Sequence, residues 1–509
     1  MLTLSGSTLP PKSRRSSGVA DLQGHFKDAT VAALAIFIVT KKYKWVVGPS
    51  VRKRKKFTEA GSVTCGLHSE AIDIWDAGNI PDGSPAPGED QENTANIHPL
   101  ALTHSFLSRS SIPSFDLESS EYRRQNYYLD HYFNHIANYI SIAEGADNPL
   151  GEQLRQHFTR SNALTNIVVA IAAMHMANRN SDKCAESSAW HYRTQALGML
   201  QKDIQWQSNS IEVLTSVLLL GATESWFDTK NSCSMHLDAA RQLILHNISS
   251  GLYIPPFFAH WLCWIETLAS FVSDDEGLVF SSPLTYTSLT AYATPMRGND
   301  SNAVIDPFLG TWTTLMPLVG RVGGIVRRLR RNKDQLLESD DFSNLIHTAE
   351  TDLLEWEHPQ PQPSLGAAKL RHFYSIAEAY RLSALLILYN YSRDLLYKRV
   401  GLIDEVVTAS EFLSQLAYSA IVLLRQIPVD SRLWNVCAIP ILSAGQLIPE
   451  SPDRDFLRSV MNTLAHKTQQ AAVAEVGKLL EDVWRRRDAG NEVWWMDLLE
   501  ETGHPMLVN

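Results

Sequence analysis

The chain has 509 residues, of which 44% are hydrophobic and 20% are charged, with a net charge of −10 and a mean hydropathy of −0.15. These values are typical of folded soluble proteins with one large core or a few ordinary ones, and they exclude a disordered chain. The longest apolar run near the N-terminus, residues 31–39, is far shorter than the roughly 20 residues that span a membrane, so we expect no membrane protein.

The N-terminal sequence and the cysteines indicate in which cellular compartment the protein resides. Residues 1–24 mix Ser, Pro and charged side chains and lack the basic start, apolar stretch and cleavage site of a secretory signal peptide. The five cysteines are odd in number and far apart, which favours free thiols over a disulfide framework: Cys65, Cys184, Cys233, Cys263 and Cys437. Both features predict an intracellular protein.

The first predicted region, residues 1–60, is strongly basic although the whole chain is acidic. It carries 12 Lys and Arg residues against 3 acidic ones, a net charge of +9, whereas the remainder carries 33 against 52, a net charge of −19. Eight of the cations fall within 16 residues that contain no acid: Lys41, Lys42, Lys44, Arg52, Lys53, Arg54, Lys55 and Lys56. This cluster predicts a nuclear-localisation signal read by an import receptor, or a contact with DNA phosphates. The alternative is a solvated basic tail.

The second predicted region, residues 61–118, is a linker. It shows little periodicity, and five prolines interrupt any helix that starts there: Pro81, Pro85, Pro87, Pro99 and Pro113. Gly, Asp, Asn and Ser fill the gaps, which predicts a largely disordered segment.

The third predicted region, residues 119–509, has apolar residues at helical spacing. One stripe runs through Leu129, Phe133, Ile136 and Ile140, and residues 162–178 have apolar neighbours on nearly every side, which predicts a buried helix. Similar stripes occur in residues 213–221, 237–244 and 373–388. No sustained alternation of apolar and polar residues occurs, and no alternation of strands with helices. The sequence therefore predicts an all-α fold.

The common sequence motifs of enzymes are missing. There is no glycine-rich loop that ends in Lys followed by Ser or Thr, since Gly320, Gly323 and Gly324 lie in a helical pattern at a different spacing. There is no Gly-x-Ser-x-Gly elbow, and no cysteine pair has the two-residue spacing of a zinc site. We therefore expect a protein that acts by binding, with no catalytic residues and no metal or cofactor of its own.

Two groups of residues have some resemblance to metal sites. His131 and His135 would share a helix face, but Tyr132 stands where a metalloprotease has its glutamate, so we interpret both as surface or half-buried histidines. Residues 274–276, Asp-Asp-Glu, are similar to the acidic clusters that bind Mg²⁺ in all-α prenyl-chemistry enzymes. Gly-Leu-Val follows them in place of further carboxylates, so we interpret this group as a solvated loop.

Several segments of the third region follow one another in a characteristic order. They are residues 162–178; Glu224-Ser225 with residues 236–244; residues 306–310 with Leu315, Pro317, Leu318, Gly320 and Arg321; Glu350, Leu353, Leu354 and Trp356; residues 378–382 with Leu388 and Tyr389; and residues 483–488 with Gly490, Val493, Trp495, residues 497–499 and Gly503. Together they resemble the regulatory region of fungal zinc-binuclear-cluster transcription factors, the fungal-specific transcription factor domain, over about residues 127–507. The resemblance implies a helical regulatory module without a catalytic set. Because large aromatic residues dominate buried area, we interpret Trp484, Trp495 and Tyr380 as core anchors rather than ligand contacts.

The sequence departs from this family at the N-terminus. The resemblance implies a six-cysteine cluster that binds two zinc ions and places a helix in the major groove, but residues 1–64 contain no cysteine. Residues 44–54 are similar to the stretch that often follows such a cluster. We interpret residues 1–43 as the product of an alternative start or a misassigned first exon, and the rival interpretation is a regulator that naturally lacks zinc. The resemblance implies zinc only if a cluster precedes the printed start.

The sequence as a whole predicts a nuclear transcriptional regulator, which the resemblance assigns to a fungal metabolic or biosynthetic pathway. The expected partners are DNA, an import receptor, a second copy or a related factor in a dimer, and a small-molecule effector. One alternative is a zinc-less helical adaptor or dominant-negative partner of a complete factor. Another is an all-α Mg²⁺-dependent enzyme that uses the acidic group at residues 274–276.

Overall fold

The helical periodicity of the sequence translates into α-helices. The computed structural model describes residues 120–205, 210–228, 233–272, 305–337, 339–359, 367–403, 408–449 and 452–502. Within these ranges there is no β-strand, and the one β-bridge joins Asp306 and Gly310. The prediction of an all-α fold is confirmed. The basic region and the linker lie outside the described residues, so the three domain boundaries stay predictions.

The helices follow one another along the described ranges. They are α1 Ser120–His131, α2 Ala137–Ile140, α3 Glu152–Phe158, α4 Asn162–Asn180, α5 Lys183–Gln205, α6 Ile211–Ala222, α7 Glu224–Phe227, α8 Ser234–Ser249, α9 Phe257–Val272, α10 Met316–Leu337, α11 Asp340–Glu355, α12 Ala367–Tyr391, α13 Arg393–Ile403, α14 Ala409–Leu424, α15 Ala438–Gly445, α16 Pro452–Thr468, α17 Ala471–Asp488 and α18 Trp495–Thr502. A π-helical turn, Tyr132–Ile136, joins α1 to α2, and 3₁₀ turns occur at Gly145–Asp147 and Arg432–Val436. None of these helices is both long and apolar enough to cross a membrane.

Polar side chains start several of these helices. Ser161 precedes α4 and its Oγ accepts a hydrogen bond from a backbone N–H of the first turn, and Ser210 does the same for α6. α14 begins with a capping box, in which the side chains of Thr408 and Glu411 each accept a hydrogen bond from the other residue's backbone N–H. These caps satisfy N–H groups that the first helical turn leaves without partners, and each stabilises its helix by about 1 kcal/mol.

Helix α4 lies at the centre of the core. Its residues 163–177 are buried except for the half-buried Thr165, which confirms the prediction of a buried helix here. The small side chains of Ala170, Ala172 and Ala173 let neighbouring helices come close, and α4 packs against α5 on one side and α6 on another. A helix without a solvent face must be enclosed by other helices, so α4 organises the packing around it.

Large aromatic side chains anchor the C-terminal helices. Trp484 is 2% exposed, and Trp495 and Tyr380 are fully buried. The indole N–H of Trp484 donates to the carbonyl oxygen of Gly445 at 2.7 Å, and the hydroxyl of Tyr380 donates to the carbonyl oxygen of Val436. The prediction that these three aromatic residues are core anchors is confirmed.

The cysteines fit the expectation of free thiols with one exception. Cys437 is buried, and Cys233 and Cys263 are half-buried; all three are free. Burial raises the pKa of the Cys233 thiol to about 12 and raises the pKa of the other two thiols as well, so none of them is a reactive thiolate at neutral pH. Cys184 is not among these free thiols, and Cys65 lies outside the described residues.

Helices α9 and α10 approach each other closely at a glycine. A Cβ atom on Gly323 would lie 2.1 Å from Ser270 Oγ and 3.1 Å from ring carbons of Phe271. Gly323 lies inside α10 together with the two neighbouring glycines, which confirms the helical interpretation of this stretch. The absence of a side chain at this position is therefore what lets the two helices pack.

We expect one substitution, Gly to Ala, to have opposite effects at two positions. Gly323→Ala should lower the free energy of unfolding by about 1–3 kcal/mol, because the added methyl group overpacks the contact with α9. Gly198 lies on the exposed side of α5 with nothing within 4 Å of an added Cβ. Gly198→Ala should raise the free energy of unfolding by about 0.5–1 kcal/mol, because glycine loses more chain entropy in a helix.

Thermal unfolding of both variants beside the wild-type protein measures these changes. A lower midpoint for Gly323→Ala and a higher one for Gly198→Ala are the expected results. If Gly323→Ala unfolded at or above the wild-type midpoint, the close packing of α9 on α10 would be wrong.

Candidate regulatory site

The site residues predicted from the sequence are the cations between Lys41 and Lys56, and they lie outside the described residues. The described part of the chain instead contains the segments that resemble the regulatory family. The charged residues in these segments lie between helices, and a groove lies between two of the C-terminal helices.

Glu224, the first residue of α7, is buried between two basic side chains. Its Oε2 accepts a hydrogen bond from Arg193 Nη2 at 2.5 Å and lies 3.2 Å from Nε2 of His236, and each of the three side chains is about nine-tenths buried. Burial alone would raise the pKa of Glu224, but the hydrogen bond from His236 and the charge of Arg193 outweigh it and lower the pKa to about 2. Since Arg193 lies on α5 and His236 on α8, this cluster joins three helices.

Arg241 extends the arrangement from α8 to α9. Its Nη2 donates to Glu266 Oε1 at 2.5 Å, and its Nη1 donates to Asp238 Oδ1 at 2.6 Å. Glu266 is fully buried on α9. Residues 236–244 therefore place their basic side chains against buried carboxylates and their apolar side chains in the core. A buried charge without a partner would destabilise the fold by several kcal/mol. The charged residues of this segment therefore have a structural role, which is to pair between helices.

Asp306 forms the turn that leads toward α10. Its Oδ1 accepts hydrogen bonds from the backbone N–H groups of Phe308 and Leu309 at 2.9 and 2.6 Å, and its Oδ2 lies 2.6 Å from Nδ1 of His260 on α9. Gly310 closes the turn with a φ of +52°, a conformation that favours glycine, and exchanges two backbone hydrogen bonds with Asp306. The Asp-Pro-Phe-Leu-Gly segment is thus a rigid turn fixed to α9.

Two more charged clusters join the helices of the C-terminal half. Glu350 of α11 accepts hydrogen bonds from the Tyr389 hydroxyl of α12 at 2.7 Å and from Arg399 of α13 at 2.8 Å. Arg454 of α16 donates to both carboxylate oxygens of Asp488, the last residue of α17, at 2.7 and 2.8 Å. These contacts also connect residues of the segments that carry the family resemblance.

A groove of about 640 Å³ lies between α16 and α17. Met461, Leu480 and Trp484 are among the apolar residues that line it. Charged side chains line the groove as well: Arg458 donates to Glu481 at 2.6 and 3.1 Å, and its guanidinium lies 5.0 Å from the centre of the Trp484 ring. The volume is in the range of small-molecule pockets, and the lining favours a ligand with an apolar body.

The two histidines that share a helix face in the sequence meet a third histidine from α4. His131 Nε2 lies 2.9 Å from His175 Nδ1, and the rings of His131 and His135 are 4.8 Å apart. His175 Nε2 lies 2.7 Å from the carbonyl oxygen of Thr468, which can only accept, so Nε2 carries the proton and Nδ1 accepts from His131. Burial and the charges of His175, His135 and Arg179 lower the pKa of His131 to about 4.

This histidine pair is a structural contact between α1, α4 and the end of α16. The interpretation of both residues as surface or half-buried histidines is confirmed, since His131 is half-buried and His135 is exposed. Among the described residues, no group of three or more His, Cys, Asp and Glu side chains is placed to hold a metal ion. The acidic group at residues 274–276 lies outside the described residues. No local pattern indicates His175 as a partner, because it lies 44 residues from His131.

We expect the histidine pair to make the protein less stable in acid. Its histidines have lowered pKa values in the folded protein and ordinary values near 6.5 in the unfolded chain, so the unfolded chain binds more protons below pH 6.5. Stability should therefore fall as the pH decreases from about 6.5 toward 4. His131→Gln should reduce this dependence, measured as the unfolding midpoint at several pH values. The exposed His191→Gln is the matched control, and an unchanged dependence in His131→Gln would contradict the assignment.

Comparison with known proteins gives one match. A family model described as "Fungal specific transcription factor domain" matches residues 127–508, which is most of the chain and covers the end of α1 and the helices from α2 to α18. No curated protein and no solved structure gives a significant match. The resemblance to the regulatory domain is confirmed, and the zinc cluster is not part of the match. The chain therefore belongs to the family defined by the fungal-specific transcription factor domain.

Proposed function

We propose that this chain is a nuclear regulator of transcription in a fungal metabolic or biosynthetic pathway, and that it acts by binding rather than by catalysis. The observation that carries the proposal is the family match over residues 127–508. The family is one of transcription regulators, and this favours a regulator over an enzyme. The roles of the charged residues in the matched segments, which pair with one another between helices, agree with such a module.

In this proposal the helical domain binds an effector or a second chain, and the basic region contacts the import receptor and DNA. The buried ion pairs fix helices relative to one another, so a ligand or a second chain that binds between two helices changes the packing of several. The groove between α16 and α17 is a candidate place for an effector. A homodimer or heterodimer is a further part of the proposal.

The basic residues from Lys41 to Lys56 are assigned to nuclear import and to contacts with DNA phosphates. Eight cations without an intervening acid produce a strong local positive field, although the chain as a whole is acidic. Contacts with phosphates alone carry no sequence information, so this region is expected to bind DNA without base preference.

Replacement of five cations tests the import role. Changing Arg52, Lys53, Arg54, Lys55 and Lys56 all to Ala should abolish most nuclear accumulation of the tagged full chain, because the import receptor reads the positive charges. In the matched control, each of the five Lys and Arg residues is exchanged for the other type, which keeps the charge, and accumulation should remain. Equal nuclear accumulation of the alanine variant and the wild type would count against the role.

Salt dependence tests the contact with DNA. The purified full chain should bind two unrelated duplexes with equal affinity, and log affinity should fall with log salt by about 0.9 per phosphate contact. The alanine variant should show a shallower slope. A clear preference for one duplex at moderate salt would show base-specific recognition by another part of the chain.

The second candidate function is a helical adaptor that pairs with a complete factor and does not touch DNA. The family match supports it as well, because the match covers the helical domain that would hold the partner. An adaptor would recruit its partner through the helical domain and would lack the salt-dependent binding to duplexes described above.

A further inference from the structure

A cavity of about 360 Å³ lies where α11 ends beside α12. Helix α11 stops at Glu355, because the backbone at Trp356 turns to an extended conformation with φ −63° and ψ 125°. The extended segment runs on to Pro359, which disfavours helix in the residue before it. Trp356 and His358 thereby line the cavity together with side chains from α12.

Three aromatic rings form one wall of this cavity. His358 stacks on Tyr374 with ring centres 4.2 Å apart and planes at 25°, and Trp356 meets His358 edge-on at 5.6 Å. The indole N–H of Trp356 donates to Thr314 Oγ1 at 3.1 Å, and His358 Nε2 accepts from Thr311 Oγ1 at 3.1 Å. Hydrogen bonds to the protein itself hold Trp356 and His358, so this part of the wall exists before any ligand binds.

The cavity is negatively charged at neutral pH. Burial lowers the pKa of His358, so this ring is neutral. Arg381 donates from Nε and Nη2 to the two carboxylate oxygens of Glu378, and these opposite charges compensate each other. Glu357 is exposed and has no ion-pair partner among the described residues, so its negative charge is not compensated.

Part of the aromatic and apolar lining is open to solvent. Tyr374 is 50% exposed and Leu354 is 40% exposed, although both line a concave surface. The faces of Trp and Tyr rings attract a cation that lies within about 6 Å of the ring centre, and a nearby carboxylate adds to the attraction. An uncharged aromatic ligand would contact the wall but would have no electrostatic attraction to Glu357. An anionic ligand would have to displace Glu378 from Arg381.

We propose that this cavity binds a small organic cation, with an ammonium group against the aromatic wall and Glu357 as its counter-ion. The wall is preformed and the uncompensated charge is negative, which together select a positively charged ligand. The proposal does not rest on the role in transcription, because it concerns binding to the purified chain.

Three probes that share a phenyl ring test the proposal on the full chain by saturation-transfer NMR titration. They are phenyltrimethylammonium, tert-butylbenzene, which has the same shape without the charge, and benzoate. Phenyltrimethylammonium should bind about tenfold more tightly than either of the others. Tyr374→Ala and Glu357→Gln should each weaken its binding about three- to fivefold.

Tyr418→Ala is the matched control, since Tyr418 is a 60% exposed tyrosine on α14 that does not line the cavity. This variant should bind phenyltrimethylammonium with the same affinity as the wild type. The unfolding midpoints of all three variants show that they are folded. Equal affinity for tert-butylbenzene, a preference for benzoate, or unchanged affinity in both cavity variants would overturn the proposal. These outcomes leave nuclear accumulation and DNA binding unaffected, so failure here is distinct from failure of the proposed function.

Discussion

Pairing of buried carboxylates between helices is the constraint on which the rest of this domain depends. Glu224 on α7 is paired with side chains from α5 and α8, Glu266 on α9 with one from α8, and Glu350 on α11 with side chains from α12 and α13. An apolar core supplies most of the folding free energy, but apolar surfaces tolerate many arrangements. A carboxylate out of water is stable only beside its partner, so each pair requires one relative position of its helices.

This constraint also explains what the family segments are. Their charged residues are mostly members of interhelical pairs or turns, as the Glu224 cluster and the Asp306 turn demonstrate. Their aromatic residues are core anchors, such as Trp484. The order of the segments along the chain therefore reflects the architecture of a helical module.

The sequence predicts the local structure well and the pairing of distant residues poorly. Helical spacing is a property of neighbours, so the all-α fold, the buried helix at residues 162–178 and the aromatic anchors follow from it. The contact of His131 with His175 and the wall that His358 forms with Tyr374 depend on how helices meet, and no local pattern records that. The sequence around His358 indicates only a helix end followed by proline.

The hydrogen bond from His175 to the carbonyl oxygen of Thr468 joins residues 293 positions apart, and Asn435 similarly donates to the carbonyl oxygen of Tyr139 over 296 positions. At the usual rate of synthesis, about 5–20 residues per second, a ribosome needs about 15–60 s to deliver the second residue of such a pair after the first. The helices around α4 therefore emerge long before the segments that cover them. During that interval the apolar helix faces that the late segments cover are still exposed in the nascent chain, and such exposed surface promotes aggregation.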